Sequence, residues 1–158
     1  MKNLFVIYCL FLMSCTLEKA DEKTVPEWTK DAVMYEVNVR QFTPEGTFAA
    51  FSKHLPRIKE LGVDIIWFMP IHPIGEKNRK GSLGSYYSVK DYKAINPEFG
   101  TMEEFNALVK QIHDLGMKVI IDWVANHSSF DNVWIEDGNQ NWYNLDSLGE
   151  LQPPAGTD

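Results

Sequence analysis

The chain has 158 residues, of which 44% are hydrophobic and 13% aromatic, enough for one packed domain and too apolar for a disordered segment. A net charge of −7 without any Lys/Arg block argues against nucleic acid and against an anionic membrane surface as partners. A neutral ligand such as a sugar is compatible with that charge.

The leader "MKNLFVIYCLFLMSC" combines Lys2, an apolar run from Leu4 to Met13, and a small residue, Ser14, just before Cys15. This is the pattern of a secretory signal, and its apolar run is too short to span a bilayer as a helix. "LMSC" resembles a bacterial lipobox, which makes residues 1–15 a lipoprotein signal peptide and Cys15 the lipid attachment point. The bland alternative is an N-terminal core helix. The other cysteine, Cys9, lies inside the leader, so no disulfide is expected after processing. Residues 16–31 read as a polar tether. The expected location is that of an exported bacterial lipoprotein at the cell envelope or surface, touching the membrane through the lipid anchor only.

From Ala32 the chain alternates strand and helix. "AVMYEVNVRQF" reads as a first strand by its β-branched and aromatic content. "FAAFSKHLPRIKELG" places Phe51, Leu55, Ile58 and Leu61 on one helical face, with Pro56 starting a new turn and Gly62 stopping it. "VDIIWFMP" is the second strand. A loop of thirty-odd residues then runs from Pro70 to Gly100, far longer than an ordinary connection. "GTMEEFNALVKQIHDLG" opens with Thr101 and Glu104 in capping-box spacing and turns Met102, Phe105, Leu108, Val109, Ile112 and Leu115 inward. "KVIIDWV" is the third strand, expected to be covered on both faces. "KELGVDIIWF" and "HDLGMKVIID" match as one repeated unit, which predicts parallel strands joined by crossovers. In a (β/α)8 barrel the working residues stand at the C-terminal strand ends, where the long loop and "DWVANH" fall.

By themselves these residues allow plain readings. Asp122 in an apolar strand requires a partner, and a structural ion pair would provide one. Asn126 after a strand is an ordinary turn residue, and His127 a satisfied loop histidine. Tyr86, Tyr87 and Tyr92 could all simply pack the loop onto the barrel. Trp67 and Trp123 read as core. Asp131, Asp137 and Asn139 read as a solvated loop, because Val133 occupies the first ligand position an EF-hand would need. Zincin histidine spacing and Walker glycine spacing are both lacking.

Three segments carry a more specific resemblance. "GVDIIWFMP" (62–70), "YYSVKDYKAINPEFGT" (86–101) and "DWVANH" (122–127) occur in the order and spacing of the α-amylase family, glycoside hydrolase family 13, which the chain resembles from about Ala32 to its end. The resemblance implies a partial (β/α)8 TIM barrel: residues 32–127 as its first three strands, and 128–158 as the truncated start of the inserted domain B. It implies that Tyr87 stacks on a pyranose and that His127 binds sugar hydroxyls. Asp122 would be a scaffold of the active-site floor, and Asn126 a ligand of Ca2+ in a site left incomplete by this chain.

The family's nucleophile, acid and third carboxylate follow later strands, so no catalytic residue is assigned here and the chain alone is expected to be inactive. The implied function is that of the N-terminal part of a secreted retaining hydrolase acting on α-glucans such as starch or maltodextrin. The alternatives are a non-catalytic, lipid-anchored glucan-binding protein derived from the family, and a small α/β protein that borrows the motif.

Overall fold

The structure, a computed structural model, describes residues 25–153. The leader 1–15 with Cys15, tether residues 16–24 and residues 154–158 lie outside the described residues. Two units divide at Asp31 and Ala32. The described part of the first is one 3-10 turn, Glu27–Thr29, with Lys30 Nζ 2.6 Å from Glu27 Oε2. Among the described residues no helix is long and apolar enough to cross a membrane.

The second unit is built on a parallel sheet of three strands in the order β1 (Met34–Val37), β2 (Ile65–Phe68), β3 (Lys118–Ile121). The strands pair without offset, so Tyr35, Ile66 and Val119 lie in one row and Val37, Phe68 and Ile121 in another. Side chains alternate along each strand, which puts these rows on one face and the rows Met34–Ile65–Lys118 and Glu36–Trp67–Ile120 on the other. The first face is packed by helices α2 (Phe48–Ser52), α3 (Leu55–Glu60) and α4 (Met102–Asp114) into a core containing Val37, Phe48, Phe51, Ile58, Phe68, Phe105 and Ile112. Phe48 meets Phe105 at 5.1 Å and Phe51 meets Phe68 edge-on at 5.6 Å. Each such pair adds roughly 0.5–1.5 kcal/mol beyond the area it buries.

Local chemistry sets the helix ends. Thr101 Oγ1 accepts from the Glu104 amide while Glu104 Oε2 accepts from the Thr101 amide, completing the capping box of α4. Gly116, at φ +77°, closes that helix in a conformation that other residues rarely adopt. The expected helix across 48–61 is split in two, with Pro56 in the first turn of α3.

Several expectations are corrected. The first strand stops at Val37, and Val39–Phe42 forms a helical turn, α1. Tertiary packing overrides β propensity there: Val39 is buried, and Phe42 sits edge-on against Phe51 at 4.9 Å. Leu61 and Met102, placed inward by periodicity, are 61% and 41% exposed; each stands at a helix end, Leu61 at the C-cap of α3 and Met102 at the first position of α4. Strand β3 is not covered on both faces. Its Ile120 and Ile121 are exposed, since only β2 flanks it among the described residues. Trp123 is 80% exposed and no part of the core.

These placements predict that Thr101→Ala lowers the unfolding free energy by about 1 kcal/mol through loss of the cap, whereas Leu61→Ala changes it by less than about 0.5 kcal/mol. Urea unfolding of the two variants beside the parent chain measures both, and a larger loss at Leu61 would contradict the exposure.

Candidate active site

The C-terminal ends of β2 and β3 carry most of the residues singled out in the sequence. Asp122 follows β3 directly, and its amide donates to Phe68 O (2.9 Å), extending the ladder by one residue. Its position continues the open face of Glu36, Trp67 and Ile120. Both carboxylate oxygens are engaged: Oδ1 accepts from Trp67 Nε1 at 2.8 Å and Oδ2 from the Tyr87 hydroxyl at 3.0 Å. Asp122 therefore has two neutral donors as partners, and no ion pair among the described residues.

Tyr87 reaches Asp122 from the long loop, with 39% of its surface exposed. Partial burial raises its phenol above the usual tyrosine range; the hydrogen bond to Asp122 and the negative charges of Asp122 and Glu36 push the same way. The phenol is thus held as a donor. Glu36 was not singled out in the sequence, although a carboxylate in the middle of an apolar strand was the available signal.

His127 stands in a separate cleft of about 390 Å³, lined also by Trp123, Trp134, Trp142 and Tyr143. The structure places Tyr87 and His127 on neighbouring loops but does not bring their side chains into one hydrogen-bonded cluster. His127 Nδ1 lies 3.4 Å from the Asn126 side-chain nitrogen. Asn126 is exposed and offers a single amide oxygen, and no group of three or more His, Cys, Asp or Glu side chains able to hold a metal forms among the described residues.

Tyr92 does more than pack the loop. Its hydroxyl lies 2.6 Å from Val124 O and 2.7 Å from His127 O, fixing the backbone turn that presents His127, while its ring stacks on Trp134 at 5.0 Å. Burial raises this phenol too, followed by Tyr143. Tyr86 instead carries Arg40, whose guanidinium lies 4.5 Å from the ring centroid and pairs with Glu98 at 2.8 Å.

Asp131 is not a solvated loop residue either. Its side chain is 15% exposed, and Oδ2 accepts from the amides of Glu76 (2.8 Å) and Lys77 (3.3 Å). Asp137 is exposed, as expected, and Asn139 donates to Trp134 O at 3.1 Å.

The Tyr87–Asp122 contact makes a spectroscopic prediction. In the parent chain Tyr87 should titrate above the ordinary tyrosine value, and Asp122→Asn should bring it back toward that value by removing the negative charge. Ring-carbon NMR across an alkaline pH series, with Tyr87→Phe to assign the signal, reads this directly. A Tyr87 titration indifferent to Asp122→Asn would remove the contact from the account.

Comparison with known proteins adds to this geometry. Residues 17–150 match the alpha-amylase family, described as alpha amylase, catalytic domain. An alpha-amylase from Lactobacillus plantarum is 48% identical and superposes with a TM-score of 0.76, over 79% of this chain and 29% of that one. The probable oligo-1,6-glucosidase 2 of Bacillus subtilis (strain 168) is 35% identical over 116 residues, which cover 70% of this chain and 20% of that protein. The trehalose synthase of Thermus thermophilus is 36% identical over 131 residues, 75% of this chain and 13% of its own length. The chain thus spans a fifth or less of the length of these two curated relatives. Its three parallel strands are part of a (β/α)8 barrel, and the chain belongs to the alpha-amylase family of glycoside hydrolases.

Proposed function

We propose that this chain forms the glucan-facing N-terminal part of a catalytic barrel acting on α-linked glucosyl substrates, with starch or maltodextrin as the physiological class. Tyr87 offers a ring face to the C–H face of a pyranose, and His127 offers a ring nitrogen to sugar hydroxyls. Asp122 is the scaffold that holds Tyr87. The observation that carries the reading is the double acceptance at Asp122, from Trp67 and from Tyr87.

The two donors on Asp122 fit the role of a scaffold, and attack on the anomeric carbon and protonation of the leaving group are assigned to other groups. Retaining glycosidases use two carboxyl groups about 5–5.5 Å apart for those tasks. Asp122 orients Tyr87 and leaves the bond-breaking roles to other groups. Relatives named for a glucosidase and for a trehalose synthase both match, so the reading extends to α-glucosyl transfer as well as hydrolysis. Calcium enters only through the single oxygen of Asn126, and no step is assigned to the ion.

The chain made alone should bind maltotriose weakly and release no reducing sugar from soluble starch. Tyr87→Ala and His127→Ala should each weaken maltotriose binding roughly tenfold, the scale of one lost contact. An NMR titration of the three proteins and a reducing-sugar assay of the parent chain check this. Starch turnover that His127→Ala abolishes would sink the scaffold reading.

The exported, lipid-anchored state is proposed on the sequence "LMSC" and the apolar run before it. Cys15→Ala should shift the protein from the membrane to the soluble fraction in a bacterial host, because one acylated cysteine is the only anchor in this account. A parent protein that fractionates as soluble, with an unmodified N-terminus upstream of Cys15, would rule the anchor out.

A further inference from the structure

We propose that Asp131 is a positioning residue, a clasp that holds the loop bearing Tyr87 in place against the segment bearing His127. The inference rests on the reading of those two residues as glucan-binding, but the clasp itself can be measured without a glucan.

The two segments meet along a short seam. Val89, wholly buried, bridges Ile74 in antiparallel fashion on one side. On the other side Val89 O accepts from the Ser129 amide (2.9 Å) and from Asn132 Nδ2 (3.0 Å), while Lys90 O accepts from the Val133 amide (3.0 Å). Gly75 N donates to Ser88 O at 2.8 Å, directly beside Tyr87. These bonds secure the middle of the seam. The outer stretch at Glu76 and Lys77 is tied to the segment after β3 by Asp131 Oδ2, which accepts both amides.

Three features make this more than a surface contact. A carboxylate 15% exposed needs compensation for lost hydration, and here the loop's own backbone amides supply it as charge-assisted bonds. Lys90 Nζ lies 3.6 Å from Asp131 and 3.8 Å from Glu76, closing the group with the cation between two acids. Gly75 fits against the clasp with no space to spare: a Cβ there would collide with Ser129 Cβ and stand 2.5 Å from Asp131 Oδ1.

The charge of Asp131 agrees with the geometry. Partial burial works against ionisation, but the Glu76 and Lys77 amides and Lys90 outweigh it and hold the carboxyl below the usual aspartate value. Ser129 Oγ and Asp131 Oδ1 are both buried without a hydrogen-bond partner of good geometry, and both border the space a Gly75 Cβ would need. With the folded value lowered, the clasp is present above the ordinary aspartate pKa and is lost as pH falls through the lowered one.

The test uses the 15N-labelled full chain with Asp131→Ala, Asp131→Asn and Gly75→Ala. Asp131→Ala removes both bonds, and Gly75→Ala forces the segments apart while keeping the Asp131 side chain. Both should speed amide exchange at Glu76 and Lys77 by roughly tenfold or more and shift the ring signals of Tyr87 and His127. Amides of β2 and α4 should keep parental exchange, and Asp131→Asn, which retains an acceptor oxygen, should lie between. Faster exchange throughout α4 would reduce Asp131 to general stability and overturn the proposal; so would unaltered exchange at Glu76 and Lys77. Should the alanine variants not fold, the parent chain decides: the Glu76 and Lys77 amide shifts should follow one titration below the ordinary aspartate value, absent in Asp131→Asn, and no such step overturns the clasp. A maltotriose titration separates the two readings. If the parent chain shows no binding, the glucan assignment fails while exchange still judges the clasp. If the parent binds, the dissociation constant should rise several-fold in Asp131→Ala and recover in part in Asp131→Asn, and an unchanged constant beside a released loop overturns the positioning role.

Discussion

Backbone amides and carbonyls left inside a protein without partners are costly, and the long stretch between β2 and α4 is where this chain has to meet that constraint. The stretch contains no helix and only one bridge, Ile74 with Val89. Its polar backbone is satisfied mostly within the stretch itself, as by Gly75 N to Ser88 O, Lys90 N to Pro73 O and Asn96 N to Ile71 O, and at Val89, Lys90, Glu76 and Lys77 by the segment after β3. Tyr92 and Asn132 contribute side chains to the same seam. The positions of Tyr87 and His127 follow from that pairing more than from the strands themselves.

The sheet has two chemically distinct faces as a consequence of strict alternation. One is closed by phenylalanines from α2 and α4, and it anchors the strands in a common register. The other carries Glu36, Trp67 and Asp122, polar groups set among apolar neighbours. Asp122 links the strand ends to the loop because Trp67 and Tyr87 both donate to it. The carboxylate thus joins a rigid element to an irregular one.

Much of this was legible in the sequence because it is local. The capping box at Thr101 and Glu104, the new turn at Pro56 and the stop at Gly116 each depend on neighbours within a few residues, and the structure has all three. The repeated Leu-Gly strand entry revealed parallel strands for the same reason. What escaped reading depends on distant partners. "NVRQF" has strand-like composition, and only the packing of Phe42 on Phe51 turns it into α1. Asp131 looked like any loop acid, since the amides it holds are 54 and 55 residues away. Trp123 and Leu61 show the limit of apolar periodicity, which marks what would be covered if an element lay there. Asp122 is intermediate: its need for a partner was evident, but not that both partners would be neutral donors.

The tip of the long loop, residues 78–83, is exposed throughout, yet its base is fixed by Asp131 at Glu76 and Lys77 and by Gly75 N to Ser88 O. A peninsula moored at its neck can change length without moving the land behind it. Closing a flexible loop costs only about 0.6 kcal/mol more for each doubling of its length, comparable to a single hydrogen bond at the neck. The shape of the rim above the barrel mouth can therefore diverge through insertions at this tip, while Tyr87, just inside the mooring, keeps its distance to Asp122. The fold separates a part free to vary from a part that cannot, and the boundary falls at Gly75.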